Sequence, residues 1–310
     1  MSAKKSFVTL FILVFALVGL VGCGSNEKTT SGNKKDPSNS GSQIKTVESG
    51  YLNVAIIGDM PMTAVENGKI IGTDGDLIHK VAEKLNLKVR PQLMQWPAPI
   101  EAVRTGRADI AIGNIFWTPE RSKVMLMTDP VYYASSMIVQ QQSKKDVKNI
   151  AELKGHKVGT VTGFAFVPDL QKLESEGKIA SVTTYKDNNA LIQDLKIGRV
   201  DIGFVDPPTG AYVIKQNPSY NLKVVTFTDS DKNYSVLGKQ FQTAWCVNPK
   251  EKELYDAINK EVQEMWKTGL NKEMLSKYGL DQDGWFIPDG NPRAGADRSN
   301  EWTPPTLAGK

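Results

Sequence analysis

The sequence predicts an α/β fold built as two units of similar element order, joined by two extended crossings. Strand-like and helix-like segments alternate from about Val47 to Gly279. The element order runs through twice without residue-level repetition. Two extended stretches, ASSMIVQQQSK (134–144) and GKQFQTAWCVNP (238–249), stand where the chain would leave the first unit and rejoin it, as in a hinge.

Each element has a local cause. YLNVAII (51–57) is a short apolar strand ended by Gly58 and Pro61. In DGDLIHKVAEKL (74–85), Leu77, Ile78, Val81, Ala82 and Leu85 recur at helical spacing. LKVRPQLM (87–94) is the next strand, and Pro91 predicts an edge or irregular position because proline lacks a ladder donor. PIEAVRTG (99–106) is a short helix stopped at Gly106, and ADIAIGNIF (108–116) reads as a buried strand. This order implies a parallel sheet with helices on both faces.

The second unit begins with the strand HKVGTV (156–161) and the helix FVPDLQKLES. IASVTTY (179–185), DNNALIQDLKIG (187–198) and VDIGFV (200–205) continue as strand, helix and strand. PTGAYVIKQ (208–216) is a helix and LKVVTF (222–227) the last strand. Near the C-terminus, Asn248, Pro249 and Glu251 predict a helix start with a capping box, and Leu254, Ile258, Val262 and Met265 give the buried stripe. Asn271 is the expected cap of a final helix, which Gly279 stops. Lobe 1 is therefore expected over 48–136 and 243–280, lobe 2 over 143–237, and the crossings at 137–142 and 238–242. Residues 281–310, with Trp285, Phe286 and Trp302 among turn-formers, are expected to be an irregular tail.

The N-terminus carries an address. Lys4 and Lys5, an apolar stretch from Phe7 and small residues before Cys23 predict a signal peptide over 1–22. LVGC (20–23) resembles a lipobox, which implies lipidation of Cys23 and attachment to a membrane face without spanning it. Residues 23–47 follow as the lipidated cysteine and a polar, Gly/Ser/Asn-rich tether. The chain is thus expected outside the cytoplasm, at the cell surface or in the periplasm. Loss of 1–22 removes two lysines and no acid, so the formal charge falls from +4 to +2, too small to specify a partner. No basic block with interleaved aromatics points to nucleic acid. Two cysteines and two histidines, with no metal-ligand spacing, predict neither a disulfide nor structural zinc, and no cofactor is expected. Cys246, in the apolar run QTAWCV, reads as a buried small hydrophobe.

One corner of the sequence asks for a use. GNIFWTPER (113–121) takes a strand-like run into two large aromatics and then a helix start bearing Arg121. It belongs to a longer set of segments: GKIIGTDGDLIHKVAEKLNLKV, WPAPIEAVRTGRADIAIGNIFWTPERSKVMLMTDPVYYA, GHKVGTVTG, IGRVDIGFVDPPTGAYVI and NPKEKELYDAINKEVQEMWKTGLNKEMLSKYG. In this order, behind a lipobox, residues 50–280 resemble the family 3 extracellular solute-binding proteins, the amino-acid receptors of ABC importers. The resemblance implies the two-lobed periplasmic-binding-protein (Venus flytrap) fold, with two hinge strands and a small ligand held in the cleft.

It also implies roles for particular residues. Trp96 falls where an apolar side chain lies against the ligand, Arg121 where an arginine receives the ligand carboxylate, and Asp206 where an acid receives the α-amino group. Asn114 lies in a loop whose backbone contacts ligand. Two positions depart from the family pattern: Phe116 replaces a usual Ser or Thr, and Ala165 a usual Thr, so neither gives the carboxylate a hydroxyl. Phe164 and Phe166 flank that turn, and Asp59 stands where a stacking aromatic is common.

Physical chemistry is consistent with part of this pattern. A guanidinium fork matches a carboxylate, and an acid at a strand's C-terminal end lies where open α/β sheets bind ligands. Adjacent residues at a strand end point opposite ways, and Phe116 rather than Trp117 is expected to face the cleft. Aromatic faces near Asp59 and Asp206 suit a cation or amine. The expected function is a monomeric, membrane-anchored, non-enzymatic receptor delivering a small amine-containing solute, such as an amino acid, to an ABC permease. The alternatives are a cation or aromatic amine without the amino-acid carboxylate, a sensory receptor, and a dehydratase-like enzyme on the same fold.

Overall fold

The structure, a computed structural model, describes residues 44–134, 136–228 and 231–280. The leader, Cys23 and most of the tether, together with the tail, fall outside the described residues. Tether residues 44–47 are within them: Ile44 packs on the core, and the Val47 N–H donates to Asp109 at 2.6 Å.

The first lobe starts with β1 (Tyr51–Ile56), buried in all but its first residue. A hairpin of β2 (Ala64–Glu66) and β3 (Lys69–Ile71) follows, turning at Asn67 and Gly68, both at positive φ. α1 (Thr73–Lys84) buries Leu77, Ile78, Val81 and Ala82, the stripe its spacing predicts. β4 (Lys88–Leu93) pairs parallel with β1 as the outermost strand, consistent with Pro91. Beyond α2 (Ala98–Arg104), β5 (Ile110–Ala111) pairs parallel with β1 on its other side. α3 (Pro119–Ser122), β6 (Leu126–Met127) and β7 (Tyr132–Ala134) complete the outward run.

The second lobe contains β8 (Met137–Gln141), β9 (Lys157–Val161), α4 (Val167–Ser175), β10 (Ser181–Tyr185) and α5 (Asn188–Lys196). β11 (Ile202–Phe204), α6 (Pro207–Gln216) and β12 (Leu222–Thr226) close it. The chain returns through β13 (Phe241–Thr243) and β14 (Cys246–Val247) to α7 (Lys252–Thr268) and α8 (Leu270–Lys277). One sheet has the order β4-β1-β5-β14-β6 and the other β10-β9-β11-β8-β12.

The sheets are mixed rather than purely parallel. β14 runs antiparallel to β5 and β6, and β8 antiparallel to β11 and β12. The cause is connectivity: a strand that arrives from the other lobe enters its sheet from the opposite direction to the βαβ strands. Residues 137–142, expected as the first crossing, are occupied mainly by β8 inside the second sheet. The paired crossing strands are β7 and β13, which form their own two-stranded antiparallel ribbon.

Other local expectations yield to tertiary partners. Of ADIAIGNIF, only Ile110–Ala111 is strand, because Gly113 (φ 106) and Asn114 (φ 54) turn the chain aside. Asn248 does not cap α7: its amide donates to Val103 O at 2.7 Å and its Oδ1 accepts from Lys250 N at 2.9 Å, and the helix begins at Lys252. Asn271 is inside α8, donating to Val131 O at 3.0 Å, and Gly269 at φ 74 marks the break between α7 and α8. Cys246 is buried in β14, as its apolar setting implies.

A file of phenylalanines runs across the crossing. Phe116 stacks on Phe241 with centroids 4.1 Å apart and planes 3° from parallel. Phe166 meets both rings edge-on, at 6.1 Å and 5.5 Å, and continues to Phe204 and Phe227. Burial of each ring contributes on the order of 2–3 kcal/mol, with aromatic geometry adding about 1 kcal/mol per pair.

Candidate functional site

The C-terminal ends of the parallel strands face each other across the interlobe cleft. From lobe 1 come Ile57 after β1, Trp96 after β4, and Gly113–Arg121 after β5. From lobe 2 come Gly163–Ala165 after β9, and Asp206 after β11. Ile57, Trp96, Gly113, Asn114, Phe116 and Arg121 line one cavity from the first side. Phe164, Ala165 and Asp206 line it from the second.

Arg121 is fixed by its local sequence. Thr118 caps α3, accepting the Arg121 backbone N–H at 3.2 Å, and Pro119 sets the first turn. The guanidinium donates to Phe116 O at 2.7 Å and to Gly163 O, across the cleft, at 3.4 Å. It also lies 5.2 Å from the Trp96 ring centroid, a cation–π arrangement. Among the described residues no carboxylate forms an ion pair with it. Burial lowers its pKa, but a guanidinium stays charged under all ordinary conditions.

Asp206 is buried at the start of α6, yet its carboxylate makes no capping bond to the helix backbone. One oxygen accepts from the Asn114 amide on the opposite lobe, the other from Thr209 Oγ1 at 2.9 Å. Burial pushes its pKa up to about 7, against the pull of those two donors and with further help from the charges of Asp59 and Asp74. Asn114 Oδ1 and Trp96 Nε1 are buried without a hydrogen-bond partner among the described residues.

Asp59 lies outside this cavity. It lines an adjoining one with Gln95, Lys186, Asp187 and Asn188, and Ile57, Trp96 and Phe164 are common to both. Asn188 of lobe 2 donates to Asp59 at 2.9 Å. Burial raises the Asp59 pKa, opposed by that bond and reinforced by Asp187.

The two aromatics of GNIFWTPER do diverge: Phe116 lines the cavity, whereas Trp117 packs into the other face with Met125 and Cys246. Trp96 and Phe164 meet edge-on across the cleft at 6.1 Å. Phe166, expected at the site, lies fully buried behind Phe116 and touches the cavity nowhere, because the turn into α4 directs its ring to the crossing strands. Thr209 and Asn188 were not legible as site residues, since each stands in a helix whose sequence signals only helix.

Two α/β lobes that meet at their strand ends, with arginine from one and carboxylate from the other at one cavity, define a two-lobed receptor for a small solute. The chain belongs to the bacterial extracellular solute-binding proteins, family 3, whose model matches residues 52–281. It is similar to the probable amino-acid-binding protein YxeM of Bacillus subtilis, 26% identical over 271 residues, spanning 87% of this chain and 94% of the relative. Among solved structures it is similar to an ancestral arginine-binding protein bound to arginine, with a TM-score of 0.65 and 30% identity over 74% of this chain and 98% of the other. The ancestral protein bound to glutamine gives a TM-score of 0.65 and 29% identity, over 75% and 99%. The fold is that of the amino-acid and solute receptors of ABC importers.

Proposed function

We propose that this protein is the lipid-anchored, extracytoplasmic receptor of an ABC importer and that it captures a zwitterionic amino acid between its lobes. The observation that carries the reading is the unpaired charge of Arg121 opposite Asp206 in one cavity. An arginine already neutralised by an acid would have no use for a carboxylate; among the described residues this guanidinium donates to main-chain carbonyls and faces the Trp96 ring, with no carboxylate paired to it. The ligand carboxylate goes to Arg121, its amino group to Asp206, and Trp96 and Phe164 cover its stem. The buried Asn114 Oδ1 beside Asp206 offers the amino group a second acceptor. That relatives include a protein bound to arginine and to glutamine supports the zwitterion without choosing the side chain. Asp59 in the adjoining cavity favours a side chain that carries a donor or positive charge.

Ligand groups that engage both lobes stabilise the closed form, and only such differential affinity shifts the opening equilibrium toward the form a permease receives. Closure already has partners from this chain: Asn114 with Asp206, Asp59 with Asn188, and Arg121 with Gly163.

A second reading, a cation without a carboxylate, is favoured by Phe116 and Ala165, which offer no hydroxyl to an anion. Calorimetric titration with L-arginine, L-glutamine, L-histidine, putrescine and choline separates the two. Amino acids bind and the diamine and choline do not under the first reading; the reverse result overturns it. For the anchor, Cys23→Ala is expected to move the protein from the membrane fraction to the soluble one.

A further inference from the structure

Behind the cleft is a buried carboxylate that ligand binding, as read above, does not use. Asp74, in the first turn of α1, has no exposed surface and lines neither cavity. Its Oδ2 accepts from Tyr132 Oη at 2.8 Å and its Oδ1 from Trp245 Nε1, while the backbone N–H of Asn114 lies near enough to favour its charged form. These groups come from three separate places. Tyr132 is on β7, the outgoing crossing strand; Trp245 lies between β13 and β14 on the return; Asn114 is on the loop that forms the cleft wall.

A buried carboxylate is an expensive way to fill space, and an apolar residue of similar volume does so at lower cost. What it supplies is acceptors alone. Two oxygens take several donors at once, whereas an amide would present one acceptor and one competing N–H. Asn114 holds φ 54, in the left-handed region that asparagine tolerates better than most residues, and in that conformation its side chain reaches Asp206. The carboxylate thus lies at the junction of both crossing strands and the loop that serves the ligand's amino group.

We infer that Asp74 is a positioning residue for the ligand site, fixing the Asn114 backbone relative to both crossing strands so that the Asn114 side chain meets Asp206. One carboxylate then sets the geometry of the hinge and of the amino-group receptor together. The inference rests on the reading of Asp206 as that receptor, but its first test needs no ligand.

Amide hydrogen exchange is measured by mass spectrometry on the ligand-free native protein and on Asp74→Asn, Tyr132→Phe and Trp245→Phe, the last two each removing a single donor. Exchange in residues 112–116 is expected to rise at least tenfold while strands β9 and β11 keep native protection. Unchanged exchange at 112–116, or a loss of protection spread evenly through both lobes, overturns the inference. Affinity for L-arginine, or for L-glutamine if that binds better, is then measured in a double-mutant cycle with Asn114→Ala. Asp74→Asn, or Tyr132→Phe if the former does not fold, is expected to weaken binding at least tenfold in the native background and less than twofold beside Asn114→Ala. Effects that simply multiply overturn the inference. If the native protein binds neither amino acid, the zwitterion reading fails while the exchange measurement still decides the role of Asp74.

Discussion

Asn114, on the loop after β5, donates its side-chain N–H to Asp206 at the head of α6, so one amide and one carboxylate tie the two lobes across the cleft. The pair lies beside Arg121 in the same cavity, which puts an acceptor for an amine and a donor fork for a carboxylate within reach of one small molecule.

Arg121→Ala and Asp206→Ala are each expected to cost about 2–5 kcal/mol of binding free energy for the cognate amino acid, as truncation leaves a buried ligand charge unmatched. Calorimetry on variants with native circular dichroism checks it. Binding unaffected by Arg121→Ala would remove the carboxylate from the ligand.

Stability of the ligand-free protein should decrease as pH rises. Asp206 and Asp74 are pushed up to about 7 and about 6 from the ordinary 3.8, chiefly by burial. A carboxyl whose folded pKa exceeds its unfolded one stabilises fully below the unfolded value and loses that contribution as pH rises through the folded value. The melting temperature is therefore expected to fall between pH 5 and pH 8, and Asp206→Asn should flatten the upper part of the slope. Amino-acid affinity should move the other way, rising from pH 6 to pH 8 as Asp206 ionises. A melting temperature that climbs over this range, in both proteins alike, contradicts the assignment.

Gly163→Ala should weaken binding more than it weakens the fold. Its φ of 78 is a strained conformation for alanine, costing about 1–2 kcal/mol. A Cβ there would also stand 3.1 Å from Trp96 Nε1 and 3.3 Å from Pro97 Cβ, on the opposite lobe. That second obstacle exists only when the lobes meet. Small-angle scattering should report a more extended particle, with affinity reduced more than tenfold; a native scattering profile would count against the contact.

Phe116→Ser brings back the residue type common in the family, yet it should not strengthen binding. The substitution removes a ring stacked on Phe241 and flanked by Phe166, which costs about 3–5 kcal/mol of stability. Urea denaturation measures the loss. A serine variant of near-native stability that binds amino acids more tightly would show that the ring is dispensable.

The fold was legible wherever a helix or strand carries its own apolar period, as in α1 and α7. It was not legible where distant chain decides. ADIAIGNIF looks like one strand, but Gly113 and Asn114 leave the sheet to build the cleft, and β14 completes the pairing from far along the sequence. Asn67-Gly68 is a hairpin signal in its own right, though strands of three residues are too short to show alternation. At the site, Trp96, Asn114, Arg121 and Asp206 could be named because they stand at strand ends and match a family pattern. Phe166 could not be told from Phe164, since both flank the same turn and only packing sends one to the crossing strands. Asp74 and Asn188 act through partners remote in sequence, which no local pattern marks, and Thr209 meets Asp206 at a three-residue spacing that any helix start shows.

The interleaving of the sheets also dictates an order of maturation. All five strands of the second sheet lie in one uninterrupted stretch, from Met137 to Thr226. The first sheet, although it begins the chain, lacks an inner strand until β14 has been delivered, and α7 and α8 come later still. As the polypeptide emerges from a translocation pore, the C-terminal member of the pair can be complete while the N-terminal one still waits with β5 unpaired along one side. That waiting surface, an apolar edge of Ile110 and Ala111, is an unpaired strand edge that other chains could join.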